Sequence, residues 1–306
     1  MMSRLRNSVL SIAISVGVAA GLVVGAVPAR ADLDLPAAVD QLILDVVGDG
    51  DLRSAIVQIR VDGHIVTDIA LGEAAPGVPA TTDDHFRNGA IAITYTAALL
   101  IELAEKGVVG LDEPISKWRP DLPYAAKVTP RQLASMTAGY PDYVPDPRFQ
   151  EASEADPYKN WTPAELLSYS FSQERAFEPG TMWGYSHSNY VILGLVLEQA
   201  TGTPLDELLR TYISSPLGLD QTMSNQGPFI PAPALHGFST DRGVYEDTIN
   251  WNPSWATANG SVQTTTIDDA ASSFDVLWGR PVFSDPVATA NSPIRGWSDF
   301  RPPVAY

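Results

Sequence analysis

Two runs near the start of the chain alternate apolar and polar positions, Ser54 to Val61 and His64 to Leu71, with Asp62-Gly63 between them. Successive side chains of a strand point to opposite faces, so a period of two predicts two strands. Asp-Gly supplies the positive φ angles of a two-residue turn, which predicts a hairpin. The stretch "AAPGVPATTDD", Ala74 to Asp84, reads as a loop. From about Ile91 to Lys106 the apolar positions recur at helical spacing, and Gly107 marks the end. Leu111 to Thr129 is a proline-rich connection, and Thr129-Pro130 opens the next helix as a cap followed by a first-turn proline.

Thr162-Pro163-Ala164-Glu165 is a capping box. Apolar helices are predicted from Asn189 to Gly202 and from Pro204 to Gly218. "NGSVQTTT", Asn259 to Thr266, reads as a strand, and Thr266 caps a final helix running to Gly279. Strands come first, helices dominate the middle and a strand signal returns late. The order predicts an α/β (α+β) fold: an antiparallel sheet with strands from both ends of the chain, flanked by helices, and a helical insertion at about 110–250.

The first residues change that picture. Arg4 and Arg6 precede an apolar run from about Val9 to Val27, and Ala29 and Ala31 form a small-residue A-x-A site. This predicts a signal peptide over 1–31, cleavage after Ala31 and a secreted, extracytoplasmic protein. A retained anchor is the competing reading, because the run is nearly long enough to span a bilayer. Residues 32–306 then form one domain. At 45% apolar and 18% charged residues it is globular, and at 306 residues it can bury a large core. A net charge of −17 argues against nucleic acid as a partner, since phosphates need a basic face. The chain has no Cys, so disulfides, a thiol nucleophile and a lipidated Cys anchor are excluded.

Three spaced segments carry the chemistry. They are "FRNGAIAITYTAALLIELAEKGVVGLDEPISKWRPDLP" from Phe86, "QLASMTAGYPDY" from Gln132, and "FEPGTMWGYSHSNYVILGLVLEQATGTPLDELL" from Phe177. In this order they resemble the serine β-lactamase and penicillin-binding protein superfamily, in particular its class C-like branch of D-alanyl-D-alanine carboxypeptidases and esterases. The resemblance runs from about Leu52 to Leu277. It implies a serine hydrolase site in which S-x-x-K opens a helix, with Ser as nucleophile and Lys one turn on, on the same face. Here Ala90 stands at the Ser position and Ile93 at the Lys position. A methyl group cannot attack a carbonyl, and an isoleucine has no lone pair to take a proton. In a comparable serine hydrolase, loss of the nucleophile alone costs about 10⁶ in turnover. Thr94 is rotated by about 100° from Ile93 on a helix and faces elsewhere; Tyr95 and Thr96 read as surface or packing residues.

The family's second motif, Y-x-N, matches Tyr185-Ser186-His187. Tyr185 is retained as a candidate proton relay lining the pocket, and His187 replaces the Asn while keeping hydrogen-bonding ability. Ser186 beside His187 is a weaker candidate nucleophile–base pair, because adjacent side chains rarely face one another. The third motif, Lys or His-x-Gly on a late strand, has no match where the family has it. His236 to Phe238 has the letters but falls too early. The family's sheet is completed by strands after the helix matched by Ile267 to Trp278. Only some 28 residues follow, with Pro281, Pro286, Pro293, Pro302 and Pro303 among them, so that segment is expected to be mostly irregular and those strands missing. The hairpin would then keep an exposed edge.

Other features are bland. Asp83-Asp84-His85 has metal-ligand letters but reads as a solvated loop, and His64 as a surface residue. Trp251 and Trp255 are equally readable as packing over a site mouth or as core. No P-loop, dinucleotide fingerprint or H-E-x-x-H occurs, so neither cofactor nor metal is expected. Three functional readings stand. The chain is a catalytically degenerate homologue binding a small peptide, peptidoglycan-like or ester ligand; or an active hydrolase with a constellation altered around Tyr185 and His187; or a truncated product without function.

Overall fold

The computed structural model describes residues 35–49, 52–224, 227–256 and 262–279. The expected signal peptide, the start of the Asn259–Thr266 strand and the proline-rich segment 280–306 lie outside these residues. Helix α1 (Leu35–Asp49), which the sequence pattern did not single out, packs against the first sheet. Strands β1 (Ser54–Val61) and β2 (His64–Ala75) pair antiparallel, with β3 (Val78–Pro79) on the far side of β2. The hairpin turns on Asp62 and Gly63, at φ +52° and +77°. Positive φ at both central positions matches the twist of the flanking strands, which is why Asp-Gly was legible as a turn. β2 runs four residues beyond the predicted end. Its tail finds a ladder partner in β3, inside the stretch that read as loop.

β4 (Phe86–Arg87) leads into α2 (Ile91–Glu105), which stops where Gly107 adopts φ +71°. A single 3₁₀ turn, Ile115–Lys117, interrupts the connection to α3 (Pro130–Ala134). Thr129 caps α3 through a reciprocal bond pattern with Gln132. α4 (Pro147–Ala155) begins at Asp146-Pro147, and α5 (Pro163–Phe171) at the Thr162–Glu165 capping box. α6 (His187–Thr201) ends on Gly202 at φ +70°. The predicted helix after it is divided: α7 (Leu205–Leu209), a π turn over Arg210–Ser214, and α8 (Ser215–Leu217). Short strands β5 (Met223–Ser224), β6 (Phe238–Ser239), β7 (Glu246–Asp247) and β8 (Gln263–Thr265) precede α9 (Ile267–Gly279).

α6 is the centre of the helical part. Tyr190, Val191, Ile192, Leu193, Val196 and Leu197 are all buried, and α2, α3, α5 and α7 pack around it. A helix apolar on every side has to be enclosed, and this one is. The late strand β8 lies between β4 and β5, so it joins a sheet separate from the β1–β2–β3 sheet and not, as the sequence predicted, one sheet with the N-terminal hairpin. Further on, α9 packs on β1, where Arg60 bonds Asp268 at 2.7 Å. The architecture is therefore mixed α/β with antiparallel sheets. The strands form two small sheets and a β6–β7 pair. Among the described residues, β1 has a strand neighbour on one side only.

The core is rich in buried tyrosine. Tyr95, Tyr140, Tyr143 and Tyr190 are each at most 3% exposed, and burial pushes every one of their phenols upward, Tyr95 to about 12. The unfolded chain releases these protons near pH 10 while the folded chain still holds them. Stability must therefore fall as pH rises above about 10. Urea unfolding followed between pH 9 and 11.5 is expected to show a midpoint that is flat at first and then drops. Tyr95→Phe should make the drop shallower.

Candidate active site

Ala90 is the N-cap of α2, in helical geometry, and its methyl makes no capping bond. It is exposed, and Gly89 before it adopts φ +51°. Ile93 is half-buried and packs against the hydrophobic core. The entry to α2 is held rigidly. Asn88 donates its N–H to the Gln263 carbonyl at 2.9 Å, and Asn88 Oδ1 accepts the Gln263 N–H at 2.9 Å. The two motif positions are thus tied to β8. Neighbouring residues supply no substitute: Tyr95 and Thr96 are buried, with Tyr95 donating to Ser273 at 2.9 Å and Thr96 to the Ala92 carbonyl at 2.9 Å.

The second motif sits at the start of α6, which packs against α2. Its frame comes from the segment Met136–Tyr143. Gly184 N–H bonds the Met136 carbonyl, Gly180 N–H the Thr137 carbonyl and Ala176 N–H the Gly139 carbonyl. Gly139, at φ +82°, lets the two segments approach, and a Cβ there would overlap the Phe177 carbonyl oxygen. This pairing delivers Asp142 to the α6 N-terminus. The Asp142 carboxylate accepts the His187 backbone N–H at 3.2 Å, and its oxygens lie 3.2 and 3.1 Å from His187 Nδ1. It also accepts the Val144 N–H at 3.2 Å.

Rings enclose the imidazole. Tyr185 stands edge-on at 5.1 Å between centroids, Tyr143 at 5.9 Å and Trp255 at 6.4 Å. Tyr143 donates its hydroxyl to the Trp255 carbonyl at 2.6 Å, which ties the Trp255 turn to this spot. Tyr185 is 41% exposed and Trp255 37%. Burial, and then the Asp142 charge, raise the Tyr185 phenol above its ordinary value, so at neutral pH it is a protonated donor. Trp255 lies beside the imidazole, while the Trp251 ring nitrogen is buried with no hydrogen-bond partner among the described residues.

Structure thus brings Tyr185 and His187 together and adds Asp142, which sequence reasoning missed. The only signal for it was an acidic residue in the "GYPDY" turn. Ser186 does not pair with His187: its Oγ is buried without a hydrogen-bond partner among the described residues, and the imidazole turns to Asp142 instead. Asp84 and His85 are not solvated as expected but buried. Asp84 accepts the Thr81 N–H at 2.9 Å, and His85 bonds the Pro233 carbonyl and Gln221, which fastens a loop. Among the described residues no group of three potential ligands could hold a metal. His64 is exposed, as expected. His236 bonds Asp247 at 2.6 Å beside the β6–β7 pair. A shallow depression lined by Pro147, Gln150, Glu151, Glu154, Ala155 and Arg242 contains none of the motif positions.

A mixed α/β core with S-x-x-K and Y-x-N positions opening two packed helices defines the serine β-lactamase and transpeptidase fold class. The family model for Beta-lactamase matches residues 39–278, and the chain belongs to that family. It is 27% identical over 186 residues to penicillin-binding protein 4* of Bacillus subtilis (strain 168), covering 60% of this chain and 40% of that protein. It is 27% identical over 231 residues to a putative D-alanyl-D-alanine carboxypeptidase of Salmonella agona (strain SL483), covering 68% and 53%. The chain spans about half the length of the curated relatives it matches. Among solved structures, a D-stereospecific amidohydrolase from Streptomyces sp. superposes with a TM-score of 0.70 at 29% identity, covering 78% of this chain and 72% of that one. A D-amino acid amidase from Ochrobactrum anthropi SV3 complexed with D-phenylalanine gives 0.69 at 28%, covering 80% and 71%.

Hydrogen bonds to a charged group contribute about 1.5–3 kcal/mol. Asp142→Asn weakens the bonds to the Val144 and His187 amides as well as to the imidazole, whereas His187→Ala loses only the ring. Urea unfolding is expected to rank Asp142→Asn as the more destabilising change, by roughly that amount.

Proposed function

We propose that this protein is a non-acylating member of the β-lactamase family, exported from the cytoplasm, which binds a small peptide, peptidoglycan-like or ester ligand where α2 and α6 open. One observation carries the reading. The position of the family nucleophile is the methyl of Ala90, and that of the lysine is Ile93, packed against the core. Without the hydroxyl no acyl-enzyme forms. What is left, binding and hydrogen-bond donors, is worth only about 10³–10⁴ over water in such enzymes. The amidohydrolase and amidase named above act, by their names, on amide-type substrates, which favours a ligand of peptide or amide type for this chain as well.

A second reading has a specific observation behind it. Asp142 holds Nδ1 of His187, so the neutral ring presents Nε2 as a base, with the Tyr185 phenol beside it. Such a pair can deprotonate a water molecule that attacks an ester directly. That hydrolysis would proceed with no burst and would be insensitive to serine-directed inhibitors. It would be lost in His187→Ala.

Treatment of the purified protein with a fluorescent penicillin and a fluorophosphonate is expected to leave no covalent label. Stoichiometric labelling would overturn the proposal, and its mapping to Ser186 would implicate that hydroxyl. Ala90→Ser with Ile93→Lys is expected to restore measurable acylation, because a desolvated lysine beside the serine can act as its base. Export has its own test. Intact-mass measurement of protein from the medium or envelope should show a chain beginning at Asp32, and the mass of the full chain would indicate a retained anchor.

A further inference from the structure

We propose that the surface made by His187, Asp142, Tyr185 and Trp255 binds the primary ammonium group of a ligand. The proposal rests on the reading that this site binds rather than acylates, and it names the ligand group. The polarity of the imidazole decides it. Nδ1 faces the Asp142 carboxylate at 3.1 Å, so in the neutral ring Nδ1 carries the hydrogen and Nε2 carries the lone pair. No hydrogen bond of this ring other than those to Asp142 is found among the described residues, and the side chain is 19% exposed. A ligand group meeting Nε2 of the neutral ring must therefore donate. A carbonyl or carboxylate oxygen would face a lone pair, whereas an N–H would complete the bond.

Charge and rings point the same way. The Asp142 carboxylate lies behind the imidazole and is only 15% exposed, so it acts on a ligand mainly through its field. Tyr185 and Trp255 flank the ring at 5.1 and 6.4 Å, and both are partly exposed. These distances are from ring to imidazole; a cation bound at Nε2 gains quadrupole attraction from whichever of the two ring faces lies within about 6 Å of it. Basic side chains on the neighbouring segments are engaged with other groups: Arg148 with Asp146 and Ser172, Lys159 with Glu165 and the Trp161 ring, and Arg175 with the Ala138 and Phe177 carbonyls. The chain's net charge of −17 adds a long-range attraction for cations. A primary ammonium meets these demands at once, with three N–H donors and one positive charge.

Calorimetric titration of the full chain at pH 7.5 tests this with four probes: glycylglycinamide, its N-acetyl derivative, spermidine and tetramethylammonium. The free-amine peptide or spermidine should bind, and which of them binds identifies the source of the ammonium. The N-acetyl derivative should bind at least about ten-fold more weakly than the free-amine peptide, the equivalent of one lost charged hydrogen bond. Tetramethylammonium, which has no N–H, should also be weaker. His187→Phe keeps a ring and removes Nε2, so it should erase the preference for the free amine. Trp255→Leu should weaken amine binding by about two- to five-fold while leaving the Tyr143–Trp255 backbone contact. If His187→Phe fails to fold, the probe series on the unaltered protein and Trp255→Leu decide the matter. Equal binding of the acetylated peptide, or no binding by either amine, overturns the proposal. Covalent labelling by penicillin in a parallel sample would instead overturn the non-acylating reading, so the two failures are distinguishable.

Discussion

One carboxylate organises the helical half of this protein. Asp142 accepts the first amide of α6, the imidazole that follows it and the Val144 amide of its own turn. The opening amides of a helix have no partner inside it and carry the positive end of its dipole, so an acid placed there is favoured twice. What makes the arrangement depend on the whole fold is the origin of that acid. It comes from a segment 45 residues earlier, held in place by three backbone bonds to the stretch before α6. The closeness of those segments requires the absence of a side chain at Gly139. The candidate site is therefore a product of backbone pairing first and of side-chain chemistry second.

Around this anchor the framework of the β-lactamase family is kept, with Ala90 and Ile93 at the positions that the resemblance assigns to Ser and Lys. The helix that would present a nucleophile still starts at an exposed cap, tethered to β8 by the reciprocal Asn88–Gln263 bonds. Its first turn now offers a methyl group, and one turn on an isoleucine packs against the core. Polar residues once removed from such positions need not be replaced by other polar residues, because an apolar side chain contributes packing without demanding a partner. An isoleucine at that position avoids the cost of burying a lysine. Meanwhile the imidazole of His187 is held by a carboxylate and bordered by aromatic rings, so the position keeps a donor towards Asp142 and an acceptor on its other side, as an amide could.

Much of this protein could be read from its sequence, and the reasons are local. Asp62-Gly63 forms a hairpin because of backbone sterics at two residues. Thr129 and Thr162 start helices because a hydroxyl, a proline and a Gln or Glu three positions on satisfy orphan amides within one turn. The all-round apolar α6 had to lie at the centre of something. Family membership was legible for a related reason: the spaced motifs keep their letters, so the departures at Ala90, Ile93 and His187 stand out against them.

The sequence alone thus determined the hairpin, the capped helices, the class of fold and the residues at the motif positions, since each depends on residues close together in the chain. Tertiary structure alone decided which residues meet. It decided that β2 outlasts its own pattern because β3 comes back to pair with it, and that Asp84 and His85 are buried fastenings rather than solvated side chains. It also decided that His187 turns to Asp142 and away from its neighbour Ser186. The β2–β3 pairing joins residues only a few positions apart, but the fastening of His85 and the turn of His187 to Asp142 depend on partners 45 or more positions away, which no local periodicity encodes.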